Sequence, residues 1–249
     1  MIRISDSRCL IQCGWDDVPH LSAATKAKLL ASTLPYQRDA RSKGIPSLGS
    51  GAIYPVPESD IVCDPFRIPE FWKRAYGLDV GWKKTACIWG AIDPTSDTVY
   101  LYSAHYRGES PPSTHAAAIG ARGTWVPGVI DPAARGRSQS DGAVLIQTYR
   151  DLGLDLTPAD NAVDAGLFEV WERLETGRLK VFRTLLDWLA EFRMYRRDEK
   201  GRIVKEFDHL MDATRYLIRS GLACACVQPM PSGFATHAHA QGGANVAGY

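Results

Sequence analysis

The chain has 249 residues and an apolar fraction of 45%, enough to bury a full globular core. A formal net charge of +1 excludes a protein that holds nucleic acid by overall charge, so any DNA affinity has to come from local patches. There is no apolar run of bilayer-spanning length, no signal peptide, and no CxxC pair or zinc spacing among the six cysteines, which leaves a soluble intracellular protein with reduced thiols as the expectation.

Residues 1–70 read unlike the rest. A short apolar stretch over 9–13 runs into Gly14-Trp15-Asp16-Asp17. A helix is predicted over 22–33 with Ser22 as its cap. The loop over 41–69, rich in Gly, Pro and Ser, suits a connector laid over another surface. From Arg74 the pattern changes. Strands are predicted over 75–82, 85–92 and 99–106, the last two joined by the turn Asp93-Pro94-Thr95-Ser96-Asp97. There follow a helix near 113–122, a strand ending at Asp131, a helix near 141–152 and a short strand near Leu154. The pattern then gives a helix over 163–175, a strand over 179–182 and a helix over 185–196. A small hairpin turns at Lys200-Gly201, and a last helix covers 208–220. Hairpin-linked strands followed by alternating helices and strands specify an α/β fold, a mixed sheet flanked by helices. The tail from Gln228, rich in Gly, Ala, Pro and His, is expected to be disordered.

Three acidic positions stand out. In 75–82 the alternation puts Tyr76, Leu78, Val80 and Trp82 on one face, and Asp79 with Gly77 and Gly81 on the other. Glycines on both sides leave room for a metal ion and a phosphate backbone; the plain alternative is an edge-strand Asp facing water. Asp131 sits where an apolar strand stops, and ligands gather at the carboxyl ends of strands in α/β sheets; an Asp-Pro turn explains it equally. On the last helix Asp208, His209, Asp212, Arg215, Tyr216 and Arg219 share one side, with Leu210, Met211, Ala213, Thr214, Leu217 and Ile218 on the other. A solvated charged face gives the same split. Together the three suit one chemistry: two hard divalent ions, held by carboxylates, that activate a water and stabilise the leaving oxygen of a phosphodiester.

The segments YGLDVGW, GVIDPAARG and DHLMDATRY resemble, in order and spacing, the three acidic motifs of the nuclease domain of tailed-phage terminase large subunits. GWDDVPHL and RSKGIPSLGSGAIYPVPE are similar to the segment joining a terminase ATPase domain to its nuclease domain. The resemblance implies an RNase H-like nuclease domain over 74–222, preceded over 1–73 by an irregular remnant of the ATPase domain and linker, with a disordered tail over 223–249. It implies two Mg²⁺ or Mn²⁺ ions held by Asp79, Asp131 and Asp212, with Asp208 as a reserve ligand or a helix cap and His209 assisting in metal binding or proton transfer. It also implies an endonuclease that cuts concatemeric double-stranded phage DNA during packaging. Its partners would be the ATPase domain, the small terminase subunit and the portal, in the host bacterial cytoplasm. No GxxxxGK[ST] occurs, so no ATP hydrolysis is expected of this chain.

Several basic residues are candidate phosphate contacts: Lys83 and Lys84 after Asp79, Arg135 and Arg137 after Asp131, and Arg196, Arg197, Lys200 and Arg202 in the run from Arg193 to Lys205. A solvated charged surface is the alternative for that run. Asp164 reads as a helix cap, and His237 with His239 as weak adventitious metal binders. Trp15, Trp72, Trp89, Trp125, Trp171 and Trp188 read as core or interface anchors. Two other functions stay open: another RNase H-like nuclease of the resolvase or transposase type, and a non-catalytic module that docks onto DNA or portal.

Overall fold

The computed structural model describes residues 2–5, 8–10, 13–33, 38–44, 51–135 and 144–229. Arg137, His237 and His239 lie outside the described residues, as does the tail beyond residue 229. In chain order, a small hairpin of β1 (Ile2–Ser5) and β2 (Arg8–Leu10) precedes α1 (Ala23–Ala31) and α2 (Arg38–Lys43). Ser22 caps α1 as expected, its hydroxyl accepting from the Thr25 N–H at 3.2 Å. Next come α3 (Glu58–Ile61), β3 (Val62–Cys63), β4 (Lys73–Asp79), β5 (Thr85–Asp93), β6 (Thr98–Arg107), α4 (Pro112–Gly120) and β7 (Gly128–Ile130). The second half holds α5 (Leu145–Asp151), β8 (Leu156–Pro158), α6 (Val163–Glu175), β9 (Leu179–Phe182), α7 (Leu186–Met194) and α8 (His209–Tyr216). α8 continues through a π-helical turn, Leu217–Gly221, into α9 (Leu222–Cys224).

Seven strands form one mixed sheet in the order β3-β9-β6-β5-β4-β7-β8. The β4-β5 and β5-β6 pairs are antiparallel; β4-β7, β7-β8, β6-β9 and β3-β9 are parallel. Strand alternation sorts the side chains into two cores. Tyr76, Leu78, Cys87 and Trp89 pack with Ile119 of α4 and Ile146 and Tyr149 of α5. Ala75, Ala86 and Ile88 face the other way, into a larger core with Leu167, Trp188 and Met211 of α6, α7 and α8. The fold is the mixed sheet flanked by helices read from the sequence.

That larger core also takes Tyr54, Val56, Ile61, Ile68 and Trp72, so it continues upstream of Arg74. The stretch is tied down by backbone as well. β3 pairs with β9, and Ala52 bridges to Arg196. At the other end Arg74 bridges to Cys226, beyond the expected boundary at residue 222. Composition marked 41–69 as a connector, but its few apolar side chains are what the sheet needs to close one face. Among the described residues no helix is long and apolar enough to cross a membrane.

Candidate active site

β4 is an inner strand, fifth of the seven, which removes the reading of Asp79 as an edge residue. The strand stops at Asp79, short of the expected Trp82, and the Asp79 side chain is 13% exposed. β7 runs parallel beside it, with Leu78 paired to Ile130, so both strands finish together. The Asp131 N–H donates to the Leu78 carbonyl at 2.9 Å, setting Asp131 next to Asp79. The Asp131 carboxylate accepts from the Ala133 N–H at 2.9 Å, a local turn that fixes its direction. The Asp-Pro turn and the strand-end site are therefore one feature.

α8 lies across the same strand ends. A Cβ on Gly77 would sit 2.0 Å from the Ala213 carbonyl oxygen, so only glycine lets the helix backbone rest on β4. This corrects the expectation that Gly77 leaves room for a ligand, because α8 fills that space. The polar side of α8 is not solvated either. Asp208, Asp212 and Arg215 are 5%, 8% and 2% exposed, covered from the α6 and α7 side, where Arg215 passes over Gly166. His209 Nδ1–H donates to the Asp79 carboxylate at 2.9 Å. Asp212 accepts from Arg215 at 3.1 Å, and Lys205 Nζ lies 3.2 Å from both Asp212 and Asp208.

The electrostatics report three carboxylates in one place. Burial pushes the Asp79 carboxyl above its ordinary range; the His209 hydrogen bond opposes this, while Asp212 and Asp131 add to it. The bond to Asp79 raises His209 in turn, against its own burial. The Tyr216 hydroxyl is raised by burial, then by Asp131, Asp212 and Asp79 together. Among the described residues no three His, Cys, Asp or Glu side chains stand as a ready-made metal site. The reason is visible in the contacts: Asp208 and Asp212 are turned onto Lys205 and Arg215, and Asp79 onto His209.

Glu191 was not anticipated. It is 2% exposed on α7, where its position in the helical pattern reads as an ordinary polar residue. Its carboxylate accepts from the Leu210 N–H at 2.6 Å and from the Tyr106 hydroxyl at 2.6 Å. Asp208 occupies the N-cap position of α8 without making the cap bond, and Glu191 satisfies a free N–H of the first turn in its place. Glu191→Ala is expected to cost roughly 2 kcal/mol in urea denaturation, since it strands a buried N–H and a part-buried hydroxyl. Glu191→Gln should change stability little at neutral pH, since losing the charge at the helix start is offset by relief of the burial that pushes the Glu191 carboxyl up.

The basic run over 193–205 is not a free stripe. Arg193 pairs with Glu58, Arg197 with Asp164, Arg202 with Asp198, and Lys205 with the acids above. Asp164 is thus an ion-pair partner in the first turn of α6, whose N-cap position is Ala162. Lys83 and Lys200 are exposed and Arg196 is half-buried. The Lys84 ammonium sits 4.4 Å over the Tyr106 ring. Arg135 ends the 3-10 turn Pro132–Arg135 that follows Asp131.

A family model described as the terminase RNaseH-like domain matches residues 76–220. The chain belongs to this family. It is 33% identical over 213 residues to the large terminase subunit of Salmonella phage P22, a match that takes in 80% of this chain and 42% of that protein. The chain therefore spans less than half the length of that curated relative. The solved nuclease domain of the P22 large terminase is similar at 30% identity and a TM-score of 0.66, covering 72% of this chain and 95% of that one. The large terminase nuclease of thermophilic phage G20c, solved with bound magnesium, shares the fold at 16% identity and a TM-score of 0.50, over 70% of this chain and 98% of that one. The terminase interval contains Asp79, Asp131, Asp208, His209, Asp212 and Glu191; Tyr54 and the other upstream core residues fall outside it.

Proposed function

We propose that this chain is the metal-dependent endonuclease part of a phage terminase large subunit, cutting concatemeric double-stranded DNA during genome packaging. The observation that carries this reading is the meeting of β4, β7 and α8. Two parallel strands end side by side on Asp79 and Asp131, and α8 brings His209 onto Asp79 with Asp212 one turn later. By this reading residues 1–73 are the end of an ATPase domain and its linker. The ATPase domain, the small terminase subunit and the portal are the partners, met in the host cytoplasm at the prohead.

The donor chemistry fits Mg²⁺ or Mn²⁺. The candidate ligands Asp79, Asp131 and Asp212, with Asp208 in reserve, offer only hard oxygens. Burial and then the neighbouring carboxylates push the Asp79 carboxyl up, and three basic side chains already lean on the group. Two bound divalent ions would supply an activated water and a stabilised leaving oxygen, as in other phosphodiester-cleaving sites. The chain's own part is to hold the oxygens together and exclude competing partners. Asp131 is fixed by its turn, Asp212 is backed by buried Arg215, and His209 holds a proton at Nδ1 against Asp79. A divalent ion taking these oxygens competes with Lys205 and His209 for them.

One observation favours the docking-module alternative: in this arrangement the acids are neutralised by cations rather than gathered as ligands. Purified chain incubated with supercoiled plasmid separates the two. The nuclease reading expects nicked and linear product with Mn²⁺ or Mg²⁺ and none with EDTA. Intact plasmid in both metals, from folded protein that still binds DNA, favours the docking module.

A further inference from the structure

The strand predicted to run through Trp82 ends at Asp79, and the indole is 71% exposed. Phe207, just before α8, is 53% exposed. Single exposed aromatics are ordinary on a protein surface; Phe71, 68% exposed, precedes the end of β4 opposite Asp79, and two others have local explanations. Phe66 meets the rings of Trp72, Tyr100 and Phe182, and Phe168 lies against Trp171. Trp82 and Phe207 differ in where they stand and how they are held.

Trp82 follows Asp79 by three residues, and Phe207 precedes His209 by two. Since His209 touches Asp79, and a chain advances at most about 3.6 Å per residue, both backbones lie within roughly 11 Å of this pair. A B-DNA major groove is about 12 Å wide and a minor groove about 6 Å, so one duplex seated at Asp79 reaches both rings. The backbone under Trp82 is pinned. Its carbonyl accepts from the Glu109 N–H at 2.8 Å, and Gly108 comes so close that a Cβ there would sit 1.9 Å from the Lys83 carbonyl. Phe207 is held at φ 56°, a left-handed conformation that is a genuine outlier for a bulky residue and costs on the order of a tenfold population. Exposed Lys83 stands beside Trp82 and is suited to a phosphate.

We propose that Trp82 and Phe207 are base-contacting residues that wedge into or stack on a duplex opened beside the Asp79–His209 pair. The proposal rests on the nuclease reading and adds a mode of substrate engagement: cations hold the phosphates while the rings take the bases. Such contacts suit cutting with little sequence preference, because every base has a face to stack on.

The test uses the full chain and a short duplex carrying 2-aminopurine, with Ca²⁺ in place of Mg²⁺. Binding by the wild type is expected to raise 2-aminopurine emission as the bases unstack. Trp82→Ala and Phe207→Gly should each abolish that rise and weaken binding about tenfold. Phe207→Gly should also raise the melting temperature, because glycine adopts this φ without strain, so its loss of function cannot be misfolding. Trp82→Phe should recover part of the emission change. Wild-type binding without any rise, or variants that keep it, overturns the proposal. A chain that nicks plasmid yet never unstacks the probe keeps the nuclease reading and loses only this one. A chain that neither binds nor cuts loses both.

Discussion

Asp79→Asn is expected to lower metal-dependent nicking of supercoiled DNA by on the order of 10³-fold while leaving the chain folded. The size follows from position: Asp79 ends an inner strand, meets His209 directly and lies beside Asp131. The stability effect should go the other way. Burial raises the Asp79 carboxyl, so in the folded chain its proton is held more tightly than in the unfolded one. An acid raised in this way contributes less stability as pH climbs from its unfolded value through its folded one, and at neutral pH its charge is a cost. Asn removes that cost and keeps the volume. The melting temperature of Asp79→Asn without divalent metal is therefore expected to equal or exceed that of the wild type, by calorimetry at neutral pH. A marked drop would mean that the His209 contact outweighs the burial of the charge.

Gly77→Ala is expected to damage both the fold and the site. The added carbon would meet the Ala213 carbonyl oxygen at 2.0 Å and the Leu217 N at 2.9 Å, both backbone atoms that cannot swing aside. Either α8 lifts from β4 or β4 bends away, at a cost of about 3 kcal/mol. Both responses separate Asp212 and His209 from Asp79, so activity should fall further than the loss of folded protein explains. Urea denaturation and nicking under conditions where the variant remains folded distinguish the two effects. Near-wild-type stability would mean that α8 does not rest on β4 as described.

The elements were legible wherever one face of a segment is consistently apolar. The helix over 163–175 and the strand over 179–182 match α6 and β9 to the residue. Asp79 and Asp131 could be singled out because each sits where an apolar strand stops, and His209 and Asp212 because they share the polar side of the last helix. What could not be read depends on partners distant in the chain. Glu191 looks like any polar position on α7 until α8 sets its Leu210 N–H against it. Lys205 looked like part of a DNA-facing run, yet it bridges Asp208 and Asp212. Gly77 was noticed for the wrong reason, since its missing side chain makes room for a helix and not a ligand. Residues 51–72 gave no period of their own, because only scattered side chains such as Tyr54 and Ile61 enter a core built by others.

Arg197 N–H donates to the Gly51 carbonyl at 2.8 Å, and Arg197 bridges to Ile203, two residues before Lys205. The segment at Gly51 is thus joined by backbone hydrogen bonds to the loop whose lysine rests on two of the acids.

The central claim, that Asp79, Asp131 and Asp212 together hold catalytic divalent ions, is tested most directly by soaking crystals of the wild-type chain in Mn²⁺ and recording anomalous scattering. Anomalous density is expected among these three carboxylates, with Lys205 withdrawn from Asp208 and Asp212. Well-ordered carboxylates without such density, still paired to Lys205 and His209 in a protein that cuts DNA with Mn²⁺, would contradict it.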